Sequence, residues 1–264
     1  MEFSMLYMKD AAKMRIRLVF VLAHIQFNLI GIYAHPFKLT LYRTKTPSYV
    51  MRGSMDSPVK PVDYCQKGLC PKGVRHICCN NEFWGDNCPK PREGVNMERY
   101  RTTILDHHNN LRNRMHMKMN HLPSAVKLRH LRWDEELSVV AMRVTNFCNN
   151  ITASNCVNIP RFLNVAQSSD TNRYVNRNIP NLLSMILVNF WSDRYYTFNA
   201  SYVHSFPENA SKEDQIFANM INQRVDKLGC GMLLHAEVGN HIFHFTCLYN
   251  EKIKPGQQLY EIKT

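Results

Sequence analysis

Several absences narrow what this chain can be. No second apolar run of spanning length follows residues 18–34, no segment repeats, and no tract is of low complexity. The body of the chain therefore reads as an ordinary globular fold without a membrane span. Acids are scarce, 21 against 33 Lys and Arg, for a formal charge of +12. The basic residues are scattered and no zinc-finger or RNA-binding signature accompanies them, which argues against nucleic acid as a partner. Paired C-x2-C knuckles are also missing, so no zinc site is expected from the first five cysteines with His76. No serine sits in a nucleophile elbow and no free cysteine has an evident base beside it, so a hydrolase would lack its activated nucleophile.

What is present points outward from the cell. Lys13, Arg15 and Arg17 precede LVFVLAHIQFNLIGIYA, residues 18–34, in the order of a secretory signal ending at the small Ala34. His24, Gln26 and Asn28 inside the run are costly in hydrocarbon, so a signal peptide over 1–34 is favoured over an uncleaved anchor. Residues 35–60 hold five basic side chains and one acid among Pro and Ser, a flexible basic linker. After a signal sequence, nine cysteines argue for disulfides: Cys65, Cys70, Cys78, Cys79, Cys88, Cys148, Cys156, Cys230 and Cys247. Nine is odd, so one thiol has no partner within the chain. Sequons at Asn150, Asn199 and Asn209 agree with secretion. The basic excess suits acidic secreted partners or a cell surface.

Residues 61–96 form a Cys-rich segment in which bridges must supply order. Helical spacing over 97–119 sets Ile104, His108, Leu111, Met115 and Met119 on one apolar stripe and leaves His107 off it, towards solvent. A second helix starts at the N-cap Asp134 and buries Leu137, Val140, Ala141, Val144 and Cys148. A third covers about 181–195. Residues 228–249 are two β runs around Gly239-Asn240, with Cys230 and Cys247 equidistant from the point between Val238 and Gly239. A tight hairpin sets those two cysteines opposite each other, at a spacing that suits a disulfide. Helices with an antiparallel hairpin make an α+β domain.

Taken in order, these stretches resemble the CAP superfamily of cysteine-rich secretory, antigen-5 and pathogenesis-related proteins. VDYC-x4-C-x2-G-x2-H-x2-C at 62–79 looks like an arthropod antigen-5 N-terminus. ILDHHNNLR and LRWDEEL look like the first two helix motifs, and LGCGM with FTCLYN like the final sheet. The resemblance implies a three-layer α-β-α sandwich over 97–250, preceded by the Cys-rich extension and followed by a tail, 251–264. It also implies the pairs Cys65–Cys79, Cys70–Cys156 and Cys88–Cys148 beside Cys230–Cys247, with Cys78 left over.

The family's cavity is built from two histidines and two acids. Carried over motif by motif, the positions are His108, Gln167, Arg194 and Ile216, with Asp193 the nearest displaced acid. Three of the four have lost the residue type a metal needs. The expectation is a degenerate cavity with no metal and no cofactor, in a secreted, non-enzymatic protein that binds a protein, a receptor or a small apolar ligand. A lipid or sterol carrier is the alternative, and a metal-dependent hydrolase the weaker one.

Overall fold

The computed structural model describes residues 62–86, 88–117, 121–148, 155–174, 191–237 and 240–264. The expected signal peptide and linker, Asn150 and residues 181–190 of the expected third helix lie outside them. The described elements run β1 (Arg75–His76), β2 (Arg92–Gly94), α1 (Arg101–Arg114), β3 (Arg132–Trp133), α2 (Glu135–Thr145) and β4 (Asn155–Cys156). They continue with β5 (Ala166–Tyr174), α3 (Ser201–His204), α4 (Lys212–Ile221), β6 (Lys227–Glu237) and β7 (Asn240–Tyr249).

The hairpin β6–β7 is the centre of a five-stranded sheet ordered β2-β6-β7-β5, with β3 parallel to the start of β6. Its register pairs Cys230 with Cys247 and His235 with Ile242, which is the symmetry legible in the sequence. Successive side chains on a strand point to opposite faces, and the two faces meet different helices. Cys230, Met232, Phe243, Phe245, Cys247 and Tyr249 join one apolar cluster with Ile104 and Leu111 of α1 and Phe217 and Met220 of α4. Leu248 faces the other way, into a cluster with Leu137, Val140, Ala141 and Val144 of α2. The sheet is thus the middle of three layers, an α+β sandwich.

Local chemistry explains why α2 lies so close to the sheet. The Asp134 carboxylate accepts the Leu137 N–H at 3.1 Å, an N-cap, and Glu135 and Glu136 follow in the first turn. A Cβ on Gly229 would stand 2.1 Å from the Ser138 nitrogen, and one on Gly231 would stand 2.4 Å from the Met142 nitrogen. Only glycine lets the helix backbone rest there, and the Ser138 hydroxyl then donates to the Cys230 carbonyl at 2.7 Å.

Four disulfides join Cys65 to Cys79, Cys70 to Cys156, Cys88 to Cys148 and Cys230 to Cys247. Cys78 is the free thiol. The bridges spanning 86 and 60 residues tie the N-terminal segment to β4 and to the turn after α2, respectively; each contributes about 2–4 kcal/mol in the chain-entropy account.

Three expectations need correction. Cys148 is not on α2: the helix ends at Thr145, and Cys148 is a half-buried turn residue with φ of 54°. Residues 251–264 are not a tail, because Leu259 and Tyr260 are fully buried and the Tyr260 hydroxyl donates to the Pro123 carbonyl at 2.8 Å. Their backbone also bonds Val203, Gln223 and Val126, so apolar side chains too sparse to show a period still complete the core. The boundary at 96/97 likewise separates no independent body, since β2 pairs with β6 in the main sheet.

Candidate functional site

The motif HNNLR lies on α1, and three of its polar residues, His108, Asn109 and Arg112, are spent on holding the helix in place. His108 is fully buried; its Nδ1 is 2.8 Å from the Ile104 carbonyl and its Nε2 is 2.9 Å from the Tyr249 hydroxyl. A carbonyl only accepts, so Nδ1 carries the proton and Nε2 accepts from Tyr249. The Tyr249 oxygen is bonded in turn by Ser168, whose hydroxyl accepts from Asn219 Nδ2 at 3.1 Å. The chain of bonds runs Asn219, Ser168, Tyr249, His108, Ile104 and is satisfied throughout. Burial holds His108 down to about 4, with Arg112 and His107 adding to the effect, so it stays neutral near pH 7.

Its neighbours act similarly. The side chain of Asn109 grips Leu131 twice, accepting from its N–H at 2.7 Å and donating to its carbonyl at 3.2 Å. Arg112 is fully buried and donates to the carbonyls of Arg129, Met220, Asn222 and Val225 at 2.8–3.1 Å. Four carbonyl dipoles take the place of a counter-ion. His107 is half-buried, not exposed as its place off the stripe predicts.

The four positions carried over from the family motifs each meet partners of their own. His108 meets Tyr249, as above. Gln167 shares its face of β5 with Ser169, to which it donates at 2.9 Å, and Ser169 pairs across with Thr246. That is the α2 face, opposite the one bearing Ser168 and Tyr249. Gln167 also lines a recess of about 360 Å³ with Glu208, Gln215, Asn219 and Lys252. Arg194 is in a 3-10 turn, Asp193–Tyr196, and donates to Asp214 at 2.7 Å; that carboxylate, two residues before Ile216, balances the cation. Ile216 is buried in the α4 core cluster. Sequence matching places residues along a chain, whereas strand parity decides which side of the sheet they serve.

Two histidines escape that kind of reading. His235 on β6 and His244 on β7 are 3% and 5% exposed and lie on the α2 face of the sheet. Their rings are nearly parallel, 18° apart with centroids at 5.1 Å, and His244 Nε2 is 3.2 Å from His235 Nδ1. His244 Nδ1 is 3.0 Å from the Thr171 hydroxyl, and His235 Nε2 is 3.5 Å from Glu237 Oε1. Burial first, and then the neighbouring His235, lower His244 to about 4. The Cys148 sulfur, bridged to Cys88, lies within 4.8 Å of donor atoms of both. The hairpin register was the available signal, because it puts His235 and His244 on one face as a diagonal pair.

A family profile described as "CAP: Cysteine-rich secretory protein family" matches residues 105–249. Tabinhibitin 3 of Tabanus yao is 28% identical over 214 residues, 78% of this chain and 81% of the relative. Venom allergen 3 of Solenopsis invicta is 31% identical over 173 residues, 61% of this chain and 71% of the relative. A solved structure of Schistosoma mansoni venom allergen-like protein 4 is 16% identical, with a TM-score of 0.47 over 62% of this chain and 95% of that one.

Proposed function

Since the chain belongs to the cysteine-rich secretory protein (CAP) family and is similar to arthropod venom allergens, we propose that it is a secreted, non-enzymatic scaffold that binds an extracellular protein or receptor. The observation that carries this reading is the use made of the HNNLR motif. His108, Asn109 and Arg112 spend their polar atoms on main chain and on Tyr249, so none of the three is an activated base. A recess of about 510 Å³ in the Cys-rich segment, with the exposed Lys67, Lys72 and Arg75 among its lining residues, suits an acidic partner. Asn199 and Asn209 are exposed, as N-glycan attachment in the secretory route requires.

A small apolar ligand is the second reading, and the recess at Gln167 is the feature that would take it. Half of its lining is polar, Glu208 and Lys252 included, which fits a lipid or sterol body poorly.

The test is expression in a secreting eukaryotic cell. N-terminal sequencing of protein from the medium should begin after Ala34, and chemical cross-linking at the surface of responsive cells should capture one acidic partner. Capture that survives charge reversal of Lys67, Lys72 and Arg75 would overturn the basic recess as the docking surface. Peptide or ester hydrolysis lost with His108→Ala would overturn the non-enzymatic reading.

A further inference from the structure

We infer that His235 and His244 bind one divalent transition-metal ion of the class that prefers imidazole, Zn(II) or Cu(II). The site is separate from the positions carried over from the family motifs and lies on the opposite face of the sheet from His108.

The geometry begins with the register. His235 pairs with Ile242 and His244 with Leu233, so the two imidazoles are diagonal neighbours on one face, brought together by main-chain bonds. Their facing nitrogens are 3.2 Å apart. Two nitrogens bound to one tetrahedral ion at 2.0–2.1 Å stand about 3.3 Å apart. The ion sits off the line between them, and a small turn of each ring about its Cβ–Cγ bond aims both lone pairs at it.

The outer nitrogens are already supported. Glu237 Oε1 accepts from His235 Nε2–H, which leaves Nδ1 bare. The other Glu237 oxygen is held by Arg173 at 2.9 Å, so the carboxylate is fixed on both sides. Thr171 stands against His244 Nδ1. A hydroxyl both donates and accepts, and this freedom makes the site switchable. Without an ion, Thr171 donates to His244 Nδ1, His244 Nε2–H donates to His235 Nδ1, and the run ends on Glu237. With an ion, the His244 proton moves from Nε2 to Nδ1, Thr171 turns to accept it, and both inner nitrogens become ligands. The change is one of tautomer, with no proton lost from either ring. Partners of this kind orient ligating histidines in metal sites generally.

The remaining charges permit it. Arg92, opposite His235 in β2, directs its guanidinium away, to the carbonyls of Gly85 and Cys88 and over the Trp84 ring. The Cys148 sulfur is tied in its disulfide, so water completes the shell. The exposed Glu237 at the hairpin end, on the same face as His235, gives the ion its way in.

Titration calorimetry of the disulfide-intact protein with Zn(II) and separately Cu(II) tests the assignment. The expected result is one ion per chain. His235→Gln and His244→Gln should each weaken binding more than Thr171→Val does, whose loss should be about tenfold. His108→Gln should leave it unchanged. Cu(II) electron paramagnetic resonance on the wild type needs no folded variant and should show two coupled imidazole nitrogens. No binding, a Cu(II) signal without two imidazoles, or affinity indifferent to both hairpin histidines would overturn the site.

Discussion

His108 and the His235–His244 pair are buried to nearly the same degree on opposite faces of one sheet, yet their nitrogens meet different kinds of partner. Both nitrogens of His108 are bonded to main chain and to a tyrosine at 2.8 and 2.9 Å. In the hairpin pair, nitrogen faces nitrogen. A histidine whose two ring atoms are both matched by fixed donors and acceptors is a structural element, because any change leaves a neighbour unpaired. Two imidazoles facing each other keep a choice of tautomer, and with it a capacity to bind. Burial alone does not separate the two cases; the identity of the hydrogen-bonding partner does.

The largest expected effect comes from the side of the sheet that holds the fold. Arg112→Met leaves four carbonyls without their donor and should destabilise by at least about 3 kcal/mol in denaturant titrations, without altering the metal response. His108→Ala should cost about 1–3 kcal/mol, and Tyr249→Phe should cost part of the same amount, the two being non-additive because they break one chain of bonds. Additive losses would mean that the Tyr249–His108 bond is not what these changes remove.

Acid should act through the same contrast. His108 is neutral in the fold down to about pH 4, whereas in the unfolded chain it takes up a proton near its ordinary 6.5. The unfolded state therefore binds more protons between those values, and stability that is full above 6.5 falls as the pH drops towards 4. His76, lowered to about 4 by burial, adds to the slope. For His108 the loss is on the order of 3 kcal/mol across the window. A stability–pH profile of His108→Gln should be flatter by about one proton, and an unchanged profile would show that His108 does not carry the slope.

The smallest effect belongs to Cys78. Burial raises its thiol to about 11 against the opposing Arg143. Native protein at pH 7 should react slowly with iodoacetamide, and non-reducing gels of wild type and Cys78→Ala should both show monomer. A dimer lost in the mutant would make Cys78 an interchain bridge.

Much of the architecture was legible because it rests on local or symmetric signals. Asp134 as an N-cap, the register that faces Cys230 with Cys247, and the buried stripe of Ile104, His108 and Leu111 all follow from spacing. The partners of His108 did not follow, since Tyr249 lies 141 residues away and a stripe gives a direction without a contact. Nor did the separation of His108 from Gln167, which turns on the parity of β5. The role of residues 251–264 was hidden for a related reason. Leu259 and Tyr260 bury through contacts with Val203, Gln223 and Pro123, and no period marks such a segment.

By itself, then, the sequence determined the N-cap of α2, the hairpin register, and the family to which these motifs belong. Those features depend on neighbours in the chain or on a symmetric fold-back, so spacing encodes them. Only the tertiary structure decided which histidine nitrogens are taken. That outcome depends on hydroxyls, carbonyls and carboxylates brought from distant elements to within about 3 Å, the range over which a hydrogen bond discriminates one partner from another.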